Sequence, residues 1–497
     1  MGVFRGRTTY APSGLRRDWL PAGLSWGLVE RRVKRLQVRI ARAAVHGRYR
    51  LMRSLQWILA HSYFARLLAI RRVTSSTGRN TPGVDGVVWR TARQKLQAVN
   101  QLHRRGYRAL PLRRVHIPKS DGKTRPLGIP AMRDRAMQAL YALTVEPVAE
   151  VRADRNSYGF RYGRCCADAM EMCHICLSPR HAAGWVLEAD IASCFDSISH
   201  QWLMDNIPID RRVLRQWLEA GFLEHGRLHS TVRGTPQGGV ISPLLMNMTL
   251  DGLEQAATRS VPQYIRGTAC RSGVHVVRYA DDFVISGKSR PMLEQAVVPA
   301  VRAFLAQRGL SLSERKTRIT TVEQGFDFLG QHVRKYGNGT VLVTPSRAAV
   351  QRLRAKLGLI LRDHRGEATW AMVQRLNRLL RGWCNYHRHA CASRMFSRVD
   401  NWLFLALKRW THARHPNKGL RWLRGRYYRQ HGKRRWVFCA SRPGTEGRVE
   451  YLDVVSASRT KVVRHVKVRA DANPFDPHDA AYFAQRARQR RVARRNA

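Results

Sequence analysis

The segment Val276-Val277-Arg278-Tyr279-Ala280-Asp281-Asp282-Phe283-Val284-Ile285 limits what this chain can fold into more than any other. Apolar, largely β-branched and aromatic residues on either side of a short polar break read as two strands around a tight turn. The break holds two adjacent carboxylates. Like charges side by side on an apolar hairpin oppose each other's ionisation unless a cation compensates. Mg²⁺ is the natural compensator, being a hard ion that takes carboxylate oxygens. Taken alone, the pair reads equally well as an ordinary Asp-rich turn.

A second acid has similar surroundings. Asp190 ends the apolar run Trp185-Val186-Leu187-Glu188-Ala189-Asp190-Ile191. If that strand lies beside the 275–287 hairpin, three carboxylates converge, the set that two-metal phosphoryl transfer requires. By itself Asp190 also suits a helix N-cap. A third element is Arg233-Gly234-Thr235-Pro236-Gln237-Gly238-Gly239-Val240-Ile241-Ser242-Pro243. Its glycines allow backbone to approach a nucleotide or template closely, though a turn before a helix uses the same residues. A fourth is the basic hairpin carrying Lys119, Lys123 and Arg125. Cations there suit a triphosphate, and they suit a solvated turn.

These acids stand out because acids are scarce. The 497 residues include 89 Lys and Arg against 34 Asp and Glu, a formal charge of +55. A folded protein so basic repels itself unless a polyanion neutralises it. Small soluble domains carry a net charge of only about 2–8. Nucleic acid is the expected partner. A membrane is not, since no run of about 20 apolar residues exists to span one. Met1-Gly2-Val3-Phe4-Arg5-Gly6-Arg7 does not open a secretory signal. With 44% hydrophobic residues the chain can bury real cores, and its length suggests three or four modules. Nine cysteines, an odd number, suit a reducing compartment. Within Cys165, Cys166, Cys173, His174 and Cys176, the CxxC spacing is one that zinc sites use. Cys166, Met170 and Cys173 fall instead on one helical stripe, which favours buried thiols acting as small hydrophobes.

Along the chain, residues 28–70 read as helices with Val33, Leu36 and Ile40 on one face. Turn signals fill Ser75 to Gly86. Strand, turn and strand follow from Val115 to Ile129, with Asp121-Gly122 at the tip, then a helix from Arg133 to about 150. After the segments above come a helix at 291–308, strands at 317–333 and 340–344, and an all-helical stretch from Pro345 to about 412. The tail from 413 to 497 holds 22 Lys and Arg against six Asp and Glu. It ends in Arg486, Arg488, Arg490, Arg491, Arg494 and Arg495, a pattern of a solvated disordered end or of phosphate binding.

Taken in order, these pieces carry a resemblance. Asp190 followed by Phe195, then Thr235-Pro236-Gln237-Gly238-Gly239, then Tyr279-Ala280-Asp281-Asp282 resembles the palm and fingers of reverse transcriptases. Pro118 to Pro130, Ser157-Tyr158-Gly159-Phe160-Arg161 and Phe326-Asp327-Phe328-Leu329-Gly330 are similar to further blocks of that family. Asn80-Thr81-Pro82-Gly83-Val84-Asp85-Gly86 looks like the extra N-terminal block of group II intron and related non-LTR enzymes. Leu379-Leu380-Arg381-Gly382-Trp383-Cys384-Asn385-Tyr386-His387 is similar to the maturase thumb, domain X, continued by Arg409-Trp410 and Arg414-His415-Pro416. The resemblance spans about residues 75–475. Tyr162 departs from it, standing where many relatives have Pro.

The resemblance implies an α+β right-hand polymerase with fingers and palm, a helical thumb and a basic C-terminal DNA-binding region. Its segments are 1–74, 75–344, 345–412 and 413–497. His465 to Pro477 looks like the stretch that precedes an HNH endonuclease in relatives, and with no Cys beyond Cys439 that endonuclease is expected to be missing. The implied activity is RNA-directed DNA synthesis together with maturase binding of intron RNA, in support of splicing and intron mobility. The implied partners are an RNA template with a DNA primer, dNTPs and a DNA target, and the implied location is the bacterial cytoplasm, at the nucleoid.

Residue by residue, Asp190, Asp281 and Asp282 would hold two Mg²⁺ ions, or Mn²⁺ in their place, with the Ile191 carbonyl assisting. Phe195 would lie under the sugar as a gate against a 2′-OH. Lys119 and Arg125 would contact the triphosphate, and Gln237 would line the nucleotide pocket. Lys316 would protonate the leaving pyrophosphate. Phe328, Leu329 and Gly330 would grip the primer. Arg381, Arg409, Arg414, Arg421, Arg424 and Arg426 would bind nucleic acid, interleaved with Trp383, Tyr386, Trp410, Trp422, Tyr427 and Tyr428 as stacking rings. Trp383 and Trp410 read also as helix-packing core. Two rivals stand beside this reading. One is a splicing-only maturase with a decayed polymerase, against which the complete carboxylate set speaks. The other is a reverse transcriptase of a defence or CRISPR-associated system.

Overall fold

Pro147 lies inside the helix Met132–Arg152, where its ring cannot donate to the carbonyl of Leu143. Gln37 supplies the missing donor: its Nε2 reaches Leu143 O at 2.9 Å, and Gln56 Nε2 serves the neighbouring Thr144 O at 3.1 Å. The helix is buried on nearly every side, so its interior Pro is tolerated by tertiary hydrogen bonds rather than by solvent. The helices Trp26–Val45, Tyr49–His61 and Tyr63–Thr74 pack against it, as the apolar periodicity of 28–70 predicts.

The computed structural model describes residues 19–118, 122, 124–262, 272–366, 368–444 and 448–495, with side chains as far as Gln489. They divide into two compact units. The first runs up to Ala169 and adds Trp185–Ile319 and Val468–Ala487. The second comprises Met170–Gly184 and Thr320–Lys467, with the residues from Arg488 onward.

Eight strands serve the first unit: β1 (Leu112–Pro118), β2 (Thr124–Ile129), β3 (Trp185–Asp190), β4 (Phe222–Glu224), β5 (Arg227–His229), β6 (Val276–Tyr279), β7 (Asp282–Gly287) and β8 (Arg318–Thr321), whose last residues enter the second unit. One sheet has the order β2-β1-β4-β5, the other β6-β7-β3-β8. The second sheet packs its buried face, with Leu187, Ala189, Phe283 and Ile285, into a core shared with the N-terminal helices and with the helix Ser242–Leu250. The β4–β5 hairpin has no counterpart in the sequence reading, because a strand of three residues is too short to show a period.

In the second unit, β9 (Phe326–Phe328), β10 (Gln331–Lys335) and β11 (Val341–Pro345) form an antiparallel sheet. The helices Arg347–Asp363, Thr369–His387 and Ser393–Arg414 follow, as expected from 345 to 412. Their core is Leu353, Leu357, Leu376, Leu380, Phe396, Leu403 and neighbours at helical spacing.

The tail, read as a basic DNA-binding region whose Arg-rich end suits either solvated disorder or phosphate binding, is folded among its described residues. It forms the helix Leu420–Tyr427, the meander β12 (Tyr428–His431), β13 (Arg434–Pro443) and β14 (Val449–Asp453), and a final helix, Ala480–Arg495. Residues 468–487 return to the first unit. There Asp168, fully buried, accepts from Val468 N at 2.8 Å and from Arg486 Nη2 at 2.9 Å. Lys34 Nζ donates to Pro474 O at 2.6 Å. Arg486 is thereby committed to a buried ion pair rather than to phosphate, a correction to the sequence reading. The side chains of Arg490, Arg491, Arg494 and Arg495 lie outside the described residues.

Candidate active site

β7 runs antiparallel between β6 and β3, and its register sets Asp190 opposite Asp282. The turn between β6 and β7 is Ala280-Asp281, with Ala280 at φ +61°. The expected convergence is therefore present: Asp281 in the turn, Asp282 opening β7 and Asp190 closing β3, with the Asp190 and Asp282 carboxyls in hydrogen-bond reach. On its other edge, β3 continues into an antiparallel bridge between Ile191 and Leu312. Ser313 N donates to Asp190 O at 2.8 Å and Ala192 N to Ser311 O at 2.9 Å. Carbonyls alternate along an extended strand, so the Ile191 carbonyl points to the opposite edge, the side of β7.

The hairpin is braced from behind. Tyr158 N donates to Arg278 O and Arg278 N to Asn156 O, both at 2.9 Å. Gly159 lies so close that a Cβ there would stand 2.4 Å from Ala280 N. Arg278, 1% exposed, sends Nη2 to Asp251 Oδ1 at 2.5 Å and Nη1 to Asn247 Oδ1 at 3.2 Å. Asn247 Nδ2 in turn donates to Gly159 O at 2.8 Å. The sequence reading does not single out Arg278. An Arg within an apolar strand was the available signal, since a buried guanidinium demands a partner.

Burial and the carboxylates of Asp281 and Asp190 push the Asp282 carboxyl up to about 7. Burial also raises Asp281, Asp190 adds to that, and the cations Arg125 and Lys316 oppose it. Lys316 Nζ donates to Asp190 Oδ2 at 2.5 Å. Three carboxylates gathered at one place, with Asp281 and Asp282 buried so that they resist ionisation and a backbone carbonyl beside them, form a donor set that fits a hard divalent cation.

Around this centre the other first-unit residues fall as follows. Phe195, half-buried, sits in the short helical turn Cys194–Ser197 against the core. Gln237 Nε2 donates to Asp196 Oδ2 at 2.8 Å in the same turn. Thr235 N donates to Phe195 O at 2.6 Å, and Gly128 N to Gln237 O at 2.8 Å. The Gly-rich loop is thus fastened both to the turn bearing Phe195 and to β2, which bears the exposed Arg125. Gly234, at φ +86°, has Asp196 backbone 2.7 Å from its ideal Cβ position, so no other residue fits that approach. Lys119, Asp121 and Lys123 lie outside the described residues.

The remaining predicted residues belong to the second unit. Leu329 and Gly330, at φ +51° and +75°, form the tight turn between β9 and β10 beside the buried Phe328. Tyr386 Oη donates to Leu329 O at 2.6 Å, and Ser346 N donates to Gly330 O at 3.0 Å. Arg381, Arg409, Arg421, Arg424 and Arg426 are exposed, and Arg414 is half-buried with its guanidinium 5.1 Å from the Trp410 ring centre. Arg424 stacks 3.9 Å from the centre of Trp436. Trp410 and Tyr427 are each 4% exposed and pack within the core, so neither is a free stacking platform as their alternation with Arg suggests. Trp422, Trp436 and Tyr451 are exposed rings of this region. Among the cysteines Cys173 is buried as a small hydrophobe, whereas Cys165 donates Sγ–H to Asp168.

A sheet that delivers three carboxylates to one end of its central strands, backed by helices and flanked by a basic hairpin, defines the class of template-directed nucleic-acid polymerases. The comparisons narrow it. The family model for reverse transcriptase (RNA-dependent DNA polymerase) matches residues 117–333, that for the N-terminal domain of reverse transcriptase 22–102, and that for the group II intron maturase-specific domain 350–428. Protein YkfC of Escherichia coli is 34% identical over 64% of this chain and 93% of its own length. The group II intron-encoded protein LtrA of Lactococcus lactis is 29% identical over 55% of each chain, so the match spans about half of that relative. An uncharacterised 91 kDa protein in a cob intron of Schizosaccharomyces pombe is 25% identical over 65% of this chain and 49% of its own. The chain belongs to the family of group II intron-encoded reverse transcriptases with a maturase domain, and is an RNA-directed DNA polymerase. Enzymes of this family use divalent metal ions and bind nucleic acid. Among the described residues no helix is long and apolar enough to cross a membrane.

Proposed function

We propose that the chain extends a DNA primer on an RNA template with dNTPs at Asp190, Asp281 and Asp282, and that it also binds an intron RNA as a maturase and engages a DNA target. The observation that carries this reading is the β3–β7 register, which sets Asp190 against Asp282 beside Asp281. The three carboxylates and the Ile191 carbonyl would hold two Mg²⁺ ions, for which Mn²⁺ can substitute. When bound, the ions supply Lewis-acid activation of the primer 3′ oxygen and neutralise charge on the leaving pyrophosphate. Lys316 holds a proton at Nζ next to Asp190 and delivers it to that leaving group. Phe195 excludes a 2′-OH beneath the sugar. Arg125, with Lys119, binds the triphosphate, and Gln237 orients the incoming nucleotide from its bond to Asp196. The Phe328-Leu329-Gly330 turn grips the primer.

We assign residues 75–344 to fingers and palm, 1–74 to a basic helical extension, 345–412 to the thumb and 413–497 to a basic nucleic-acid-binding region. The exposed Arg421, Arg424 and Arg426, together with Arg381, Arg409 and Arg414, supply phosphate contacts for intron RNA or target DNA.

Primer extension on an RNA template with Mg²⁺ tests the site. Asp282→Ala is expected to slow extension at least about 1000-fold, a loss of about 4 kcal/mol of transition-state stabilisation, while far-UV circular dichroism is unchanged. Extension by the folded variant within tenfold of the parent, as a rough threshold, would remove Asp282 from the site.

A further inference from the structure

Arg278 stands in β6 between Val277 and Tyr279 and is buried there. A guanidinium in such a place is costly unless its N–H groups are paired. The two ends of its fork go to two residues of one element: Nη2 to Asp251 Oδ1 at 2.5 Å and Nη1 to Asn247 Oδ1 at 3.2 Å. Asn247 lies in the helix Ser242–Leu250, and Asp251 is the residue at its end. That helix carries on directly from the Gly-rich loop that holds Gln237. The same Asn247 donates Nδ2 to Gly159 O at 2.8 Å, and Gly159 abuts the backbone of Ala280 in the turn before Asp281. The hairpin is therefore tied to the helix at two points, through Arg278 in β6 and through Gly159 behind the turn. A further carboxylate, Asp154, lies 3.9 Å from Nη2 and accepts from Gly252 N and Glu254 N at 2.9 and 3.3 Å. A buried ion pair adds little net stability over an apolar pair of the same volume. A planar fork on two acceptors adds direction instead, fixing how far and at what angle β6 lies from the helix.

We propose that Arg278 is a positioning residue for nucleotide addition: its fork holds the carboxylate hairpin in register with the helix that continues the Gly-rich loop, and so sets the carboxylates against the nucleotide pocket. The proposal rests on the roles given above to Asp281, Asp282 and Gln237. Arg278 acts through the backbone of its own strand, which leads within three residues to Asp281 and within four to Asp282. The Gly-rich loop keeps its own fastenings, from Thr235 N to Phe195 O and from Gly128 N to Gln237 O. Affinity for a dNTP is therefore independent of the fork, whereas the approach of the carboxylates to the reacting phosphate depends on it.

The test is single-turnover incorporation of one dNTP on an RNA template, which separates the maximal rate from the dNTP concentration at half-maximal rate, with thermal melting of every variant. Asn247→Leu leaves the ion pair with Asp251 in place and cuts both the second arm of the fork and the bond to Gly159. It is expected to lower the maximal rate about 10- to 100-fold, the loss that a misplacement of up to about 1 Å produces, with the half-saturating dNTP concentration unchanged. The neutral pair Arg278→Met/Asp251→Asn strands no charge on either side, so it should melt near the parent and still be slow. Arg278→Lys keeps the charge without the fork and should retain more of the rate than the neutral pair. A parental rate in Asn247→Leu or in the neutral pair overturns the proposal. So does a rate loss that tracks the melting temperature across the set, or one that appears only in the half-saturating dNTP concentration, because a merely structural role or a contact to the nucleotide gives those results. Asp282→Ala separates this proposal from the reading beneath it. If that variant keeps the parental rate, the carboxylate assignment itself is wrong; if it is slow while Asn247→Leu and the neutral pair are fast, only the positioning role is wrong.

Discussion

Phe195 shares its turn with Asp196, and Asp196 holds Gln237. The proposed gate for the sugar and the proposed nucleotide contact are thereby tied together, Phe195 lying in the turn against the core and Gln237 held to that turn through Asp196. Phe195→Ala is expected to lower the preference for a dNTP over its matching rNTP about 100-fold, the removal of a steric penalty of about 3 kcal/mol. Competition between the two nucleotides on one template measures it, and an unchanged preference would leave Phe195 a packing residue. Gly159 makes a different kind of case. Its Cβ position lies 2.4 Å from Ala280 N, and backbone cannot yield as a flexible side chain does. Gly159→Ala must therefore shift the turn bearing Asp281. A displacement of about 1 Å at a reacting centre costs about 100-fold in rate, and primer extension by Gly159→Ala should show a loss of that order without loss of RNA binding.

At the scale of elements, the C-terminal segment is part of the first unit rather than an appendage to it. Asp168 collects Cys165 N, Val468 N and Arg486 at its carboxylate with no exposure to solvent. Removing one partner of a buried ion pair strands the other charge, a cost of about 3–5 kcal/mol. Asp168→Ala is predicted to destabilise the protein on that scale in denaturant unfolding followed by tryptophan fluorescence. Arg488→Ala, two residues beyond Arg486 but exposed, should leave the unfolding midpoint where it was. Equal effects of the two substitutions would mean that the segment is held by something other than this pair.

At the scale of the whole molecule, the proposed chemistry and the proposed RNA recognition draw on different residues. In the function proposed, nucleotide addition depends on Asp190, Asp281 and Asp282. Bracing a folded RNA depends on phosphate contacts and on rings available for stacking, which the region around Arg421, Arg424, Trp422 and Trp436 offers on exposed surface. Asp281→Ala/Asp282→Ala is expected to keep splicing support for the cognate intron and to lose cDNA synthesis. Charge removal at Arg421, Arg424 and Arg426 is expected to do the reverse on a generic primer–template: extension survives while intron or target binding weakens. Splicing and extension assays on both variants check this, and parallel loss of both activities in both folded proteins would refute the division.

What the sequence determined alone is the local part of this account. Paired apolar runs around Asp281 and Asp282, the run ending at Asp190, and the glycines of 234–239 specify strands and turns through periods of two residues and through backbone freedom. The ordered series of these blocks was enough to name the family. The tertiary structure decided where isolated charges go. Arg278 with Asp251, Lys316 with Asp190, and Arg486 with Asp168 are partners separated by 27, 126 and 318 residues. No local pattern distinguishes a charge destined for such a pair from one left in water. In a chain with 89 basic residues, only the packing that buries the acid selects which base must follow it.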